Sequence, residues 1–302
     1  MELADRLPVL RAQLATALTQ KVPQADELIA QYVQFMTCDD ISRPYNIPSP
    51  EKKRWLDGLV QTVESEALES LHQTLLIVLM ESSLTQLQSD SALPEPSRAA
   101  VKGWFAELCD RIESPPTEWG YQTDFFQKDL AIAALKMWPS HSICHYEYSV
   151  LPKAFLKSHH LQQFFSGLCL MFKTLRSYKP LMYELHTEDR RQNPHFLEEG
   201  WHNLYLELAQ RMTVEPHISG LFGQSWFWDP QVSEQSKKMD YLRRLPESGG
   251  ARFFRLFTSD DPNHIALNHK KRRALFEQGK YCPTSYLLVW PREALLRWAD
   301  QQ

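Results

Sequence analysis

Apolar residues recur at helical spacing through the amino-terminal half of the chain. Leu7, Leu10, Leu14 and Leu18 form one stripe, and Leu28, Tyr32 and Phe35 begin a second. Ser49-Pro50-Glu51 reads as a helix start: a capping hydroxyl, a ring preset for the first turn, and a carboxylate at the positive end of the dipole. From there Leu56, Leu59, Val63, Ala67, Leu71, Leu75 and Val78 predict one long amphipathic helix to about Gln88. The run S-D-S-A-L-P-E-P-S reads as a loop, and Ser97 then caps a helix whose stripe is Val101, Phe105, Leu108 and Ile112. Pro115 and Pro116 end it, and a further helix runs from about Asp124 to Met137, before Trp138-Pro139.

The pattern changes in the second half. Residues 141–156 alternate weakly, as a short strand does, and Leu161, Phe164, Phe165, Leu168, Phe172 and Leu175 predict a strongly apolar helix. P-L-M-Y-E-L-H-T, from Pro180, alternates as a strand, and Phe196 to Met212 reads as a helix built on Leu197, Trp201, Leu204, Tyr205 and Leu208. From His217 onward the chain reads strand, helix, strand, helix, strand, with a last helix after Pro291. Six of the ten glycines lie between Gly200 and Gly279, where tight strand–helix connections need them. These patterns predict an α+β protein: a helical lobe over residues 1–178 and a mixed α/β lobe over 179–302.

Composition narrows the class. At 302 residues, with 43% hydrophobic and 12% aromatic positions, the chain is a folded protein of two lobes. A formal net charge of −4 supplies no basic field for nucleic acid. Five scattered cysteines without a C-x-x-C pair fit free thiols in a reducing compartment. The start M-E-L-A-D-R-L-P has neither a basic nor an apolar leader segment, and the longest apolar run, Leu75 to Met80, falls far short of the ~20 residues that span a bilayer. The expectation is a cytoplasmic protein with no membrane and no nucleic-acid partner.

Between residues 180 and 292 the chain resembles the acyl-CoA N-acyltransferase (GNAT) superfamily. The residues that carry the likeness are S-W-F-W-D-P, then K-K-M-D-Y-L-R-R-L, A-R-F-F-R-L-F, and a helix ending A-L-F-E-Q-G-K-Y. In that family a central strand feeds a helix whose amino end holds the cofactor pyrophosphate, and a further strand and helix follow. The resemblance implies a central strand over residues 225–230, a pyrophosphate helix over 233–245, a strand over 251–257 and a last helix over 268–281. It also implies acyl-CoA as cofactor, seated by Ser233, Ser236, Lys237 and Lys238 with Arg272 reaching a ribose phosphate, and Trp226 and Trp228 shaping an acyl pocket. Two positions depart from the family: D-P-Q-V-S-E-Q-S has no glycine, and Phe276 stands where many members keep a tyrosine. The implied reaction moves an acyl group to the amine of a small molecule or peptide.

Other constellations compete with this one. Glu184, His186 and Glu188 fall on one face of a strand at period two and supply candidate general bases. An ordinary solvent-facing strand edge has the same pattern. Glu69-x-x-His72 and Glu199-x-x-His202 each put a carboxylate and an imidazole on one helix face, as diiron bundles do, so a non-haem diiron oxidase is an alternative. A non-catalytic binding or scaffold protein is the third. The basic run at residues 270–273 is equally a solvated helix face.

Overall fold

The computed structural model describes residues 2–22, 24–38, 44–89, 93–116, 119–141, 144–157, 161–187 and 197–302. The chain divides into two compact units, Met1–Ser140 and His141–Gln302. The division falls earlier than the 178/179 expectation because the weakly alternating 141–156 segment is a full strand of the sheet, Cys144–Val150. The architecture is α+β, with helices in the amino-terminal part and a mixed sheet after them.

The first unit holds α1 (Leu3–Lys21), α2 (Ala25–Cys38), α3 (Pro50–Thr62), α4 (Ser65–Ser89), α5 (Glu95–Glu113), α6 (Asp124–Ala133) and a three-residue strand β1 (Met137–Pro139). Helix α4 is its axis, in contact with α1, α2, α3, α5 and α6. Leu71, Leu75, Leu76, Ile77 and Met80 are wholly buried along it, and each such side chain contributes about 2 kcal/mol through removal from water. The single helix expected over 51–88 is two: Val63 leaves the helical region at φ −110° and ψ 133°, and α4 begins anew at Ser65. Ser97 does not start α5; Pro94 precedes its first residue, and Ser97 is buried within the first turn. No described helix is long and apolar enough to cross a membrane.

Among the described residues, five of six strands belong to the second unit: β2 (Cys144–Val150), β3 (Leu181–Thr187), β4 (Gly220–Ser225), β5 (Arg252–Thr258) and β6 (Thr284–Pro291), in the order β2-β3-β4-β6-β5. Pairings are antiparallel except β3 with β4, which run parallel and are joined by α8 (Glu198–Val214). Helix α7 (Leu161–Cys169) ends in a π-helical turn, and Leu170, Met171, Leu175, Met182, Phe222, Phe254, Leu287 and Val289 form one apolar layer. Trp201, Tyr205, Trp290 and Trp298 make an edge-to-face group elsewhere in the unit, with Tyr205 and Trp290 ring centroids 5.0 Å apart. Gly220, at φ +147°, turns the chain where any Cβ would overlap the Trp290 carbonyl oxygen.

Two expected elements differ. Residues 226–228 form a 3-10 turn, not a strand, and the strand is Gly220–Ser225. The aromatic run folds back onto that strand, so that the Trp228 ring lies over Gly223, 2.8 Å from where a Cβ would be. The helix expected over 233–245 is three pieces: α9 (Pro230–Gln235), a 3-10 turn at Lys237–Met239, and α10 (Tyr241–Ser248). Ser236, at φ −138° and ψ 85°, breaks it. After β5, a 3-10 turn at Ile265–Asn268 precedes α11 (Lys270–Glu277), and α12 (Arg292–Ala299) closes the chain.

Candidate functional site

The antiparallel register of β2 and β3 sets Glu147 opposite Glu184 and His145 opposite His186. Side chains alternate along each strand, so these four stand on one face of the sheet. The ligand atoms of Glu147, Glu184 and His186 all lie within 4.8 Å of one another, the one such group among the described residues. Glu147 Oε1 is 2.9 Å from His186 Nε2. In that contact Nε2–H donates to the Glu147 carboxylate.

Burial sets the electrostatics. Glu147 is buried, and Glu184 and His186 are partly so. Desolvation pushes the Glu184 carboxyl above the usual carboxylate range; nearby His186 and the Ser149 hydroxyl pull it back, while the Glu147 carboxylate pushes it further up. A carboxyl in this setting holds a proton more firmly than one in water, which suits a proton acceptor working near neutrality.

The expected base set Glu184, His186 and Glu188 is therefore redrawn. Glu184 and His186 are together, Glu188 lies outside the described residues, and Glu147 takes its place. Sequence reading missed Glu147 because only the register brings it opposite Glu184; the weak alternation of 141–156 was the sole trace of it.

The residues expected to seat a pyrophosphate are spread over α9, the 3-10 turn that follows it and α11. Pro230 opens α9 without an N–H, the Asp229 carboxylate accepts the Gln231 N–H at 3.0 Å, and the Val232 N–H donates to the Asp229 carbonyl at 2.9 Å. A carboxylate thus occupies the end of the helix where phosphate oxygens were expected. Ser233 is buried inside α9, and the Ser236 N–H donates to Val232 O. Lys237 and Lys238 are exposed. Arg272 is buried, with Nε donating to Ala266 O at 2.6 Å and its guanidinium 4.9 Å from the centre of the Trp226 ring.

Trp228 is core: its ring meets Trp201, Phe227 and Phe253 at centroid distances of 6.5, 5.0 and 6.3 Å. Trp226 is half-buried under Arg272. A groove of about 590 Å³ elsewhere in the unit is lined by Leu161, Gln163, Ser166, Phe253, Arg255 and Tyr286.

Neither E-x-x-H pair belongs to a metal-binding group among the described residues. His72 Nδ1 donates to Leu68 O at 2.7 Å, and its ring stacks on Tyr121 at 4.6 Å, while Glu69 faces solvent. His202 Nε2 meets Gln302 Oε1 at 3.1 Å, and Glu199 is exposed.

Opposite in pleat to Glu184 lies a second polar group. Arg211 of α8 donates to Tyr146 OH at 2.6 Å, Tyr148 OH at 2.8 Å and Glu215 Oε1 at 3.0 Å, and Tyr183 OH donates to Glu215 Oε2 at 2.6 Å. Its donors and acceptors are matched to one another, so it fastens the helix to the sheet.

No protein-family model matches the chain, and neither curated proteins nor solved structures give a match.

Proposed function

We propose that the second unit transfers an acyl group from an acyl-CoA thioester to the amine of a small molecule or peptide, with Glu184 and His186 accepting the amine proton. The observation that carries this reading is the position of that pair. Both stand on β3: Glu184 is partnered by Phe222 within the short parallel pairing of Tyr183–Leu185 with Leu221–Gly223, and His186 lies one residue beyond it, where the two strands stop pairing. The GNAT resemblance implies a strand, a helix and a further strand over residues 225–257; the reading moves that order to β3, α8 and β4, of which β3 and β4 pair in parallel.

The chemistry asks for a neutral amine, since the lone pair attacks the thioester carbonyl. Glu184, already desolvated, or His186 takes the proton, and Glu147 orients the imidazole through its 2.9 Å contact with Nε2.

The test is calorimetry with acetyl-CoA and longer acyl-CoA thioesters, followed by a free-thiol release assay across an amine panel. Binding together with thiol release that falls about 100-fold in Glu184→Gln supports the reading. No heat at about 1 mM ligand, with the protein folded, ends it.

A further inference from the structure

We propose that Glu147, Glu184 and His186 form a binding site for a divalent transition-metal ion. Two carboxylates and one imidazole present their ligand atoms within 4.8 Å of one another. An ion held at about 2.1 Å from each oxygen and nitrogen sets its ligands roughly 3–4 Å apart. Small side-chain rotations therefore close the site, and the 2.9 Å Glu147–His186 contact opens slightly to admit the ion.

The scaffold is rigid. Glu147 and Glu184 are direct partners across antiparallel strands, and His186 stands two residues along from Glu184, so the backbone ladder fixes all three Cα positions. Electrostatics favour the same conclusion. The Glu147 and Glu184 carboxylates face each other across the strands, and Glu147 raises the cost of ionising Glu184. A divalent cation between them removes that repulsion.

The donor set narrows the ion. Two oxygens and one nitrogen suit Zn²⁺, Mn²⁺ or Fe²⁺; Cu(I) wants sulfur, and Ca²⁺ wants oxygens alone. Three protein ligands leave a fourth position open, as exchangeable and catalytic sites do. The ion would use the lone pairs that the acyl-transfer reading reserves for an amine proton. The inference is thus separate from that reading, and it predicts that Zn²⁺ inhibits any activity resting on this base.

The test uses the full chain, stripped with chelator and titrated calorimetrically with Zn²⁺ and Mn²⁺, without any thioester. The expected result is one ion per chain, bound at least about tenfold more weakly by His186→Ala, Glu147→Gln and Glu184→Gln. Glu69→Gln and Glu199→Gln, at the exposed E-x-x-H carboxylates, should bind as the parent does. If His186→Ala fails to fold by circular dichroism, Glu184→Gln decides, because it removes a ligand while relieving a desolvated charge. No uptake by the parent, or uptake unchanged in the folded variants, overturns the proposal.

Discussion

His72 is a base that burial has disarmed. Its ring lies flat on Tyr121 and edge-on to Tyr32 and Phe126, and desolvation pushes its pKa down to about 4 against only a partial rise from the Leu68 carbonyl. The unfolded chain binds that proton with a pKa of about 6.5. Between these values the unfolded state is the more protonated, so this residue's contribution is intact above about pH 6.5 and lost as pH falls toward 4. The full effect is on the order of 3 kcal/mol. His72→Phe keeps the stacking, gives up one hydrogen bond worth about 1 kcal/mol, and takes away the titration. Urea unfolding at pH 7.5 and at pH 5 should show the parent losing more stability on acidification than the variant. Equal losses in the two proteins would show that the imidazole is reached by water. The surroundings of His186 differ: it has the Glu147 carboxylate at 2.9 Å and the Glu184 carboxylate beside it.

The unit of explanation for β2, β3 and α8 is the group around Arg211. Its three nitrogens reach two tyrosines on β2 and the Glu215 carboxylate, which also takes the Tyr183 hydroxyl of β3. Arg211→Lys keeps the charge and loses the fork, leaving at least one of these buried partners unmatched, at a cost of about 2 kcal/mol in a denaturant titration. A loss below about 0.5 kcal/mol would mean the phenols find other partners. None of this was legible in the sequence, because a period tells which face a side chain takes and not which strand stands beside it. Periodicity did give α8 and β3 to within two residues, since both carry clean stripes on one face. The strand that the resemblance implies over 225–230 stands instead at Gly220–Ser225: Trp-Phe-Trp has strong strand propensity, whereas G-L-F-G-Q-S is weakened by two glycines. Gly223 is what lets Trp228 fold over it. Glu184 and His186 were found from period two; Glu147 waited on register. The long helix over 51–88 was overrun because nothing in T-V-E-S is a strong breaker, though Val63 takes an extended backbone.

Each unit holds its own buried charge, and that gives the molecule a testable energetic structure. In the first, Asp129 is fully buried and accepts from both Trp104 Nε1 and Trp119 Nε1, at 3.1 and 2.7 Å, and from Arg111 at 2.9 Å on each oxygen. In the second, Arg211 plays the matching part with Tyr146, Tyr148 and Glu215. The two sets share no residue, and the residues named in each belong to one unit. Asp129→Asn keeps the shape but gives one acceptor oxygen a donor's place opposite Arg111 or a tryptophan N–H, which should cost about 2–3 kcal/mol. Because effects without shared partners add, the double variant Asp129→Asn/Arg211→Lys should lose the sum of the single losses within about 0.5 kcal/mol. A cycle of four proteins, unfolded in urea and followed by far-ultraviolet circular dichroism, measures this directly. A coupling above about 1 kcal/mol would mean that the cores are energetically joined, and a substitution in the helical unit would then disturb the Glu147–Glu184–His186 group. Near-zero coupling carries the opposite consequence: loss of ion binding or acyl transfer in a variant of the second unit can be read as a change at that group, undisturbed by the stability of the helices that precede it.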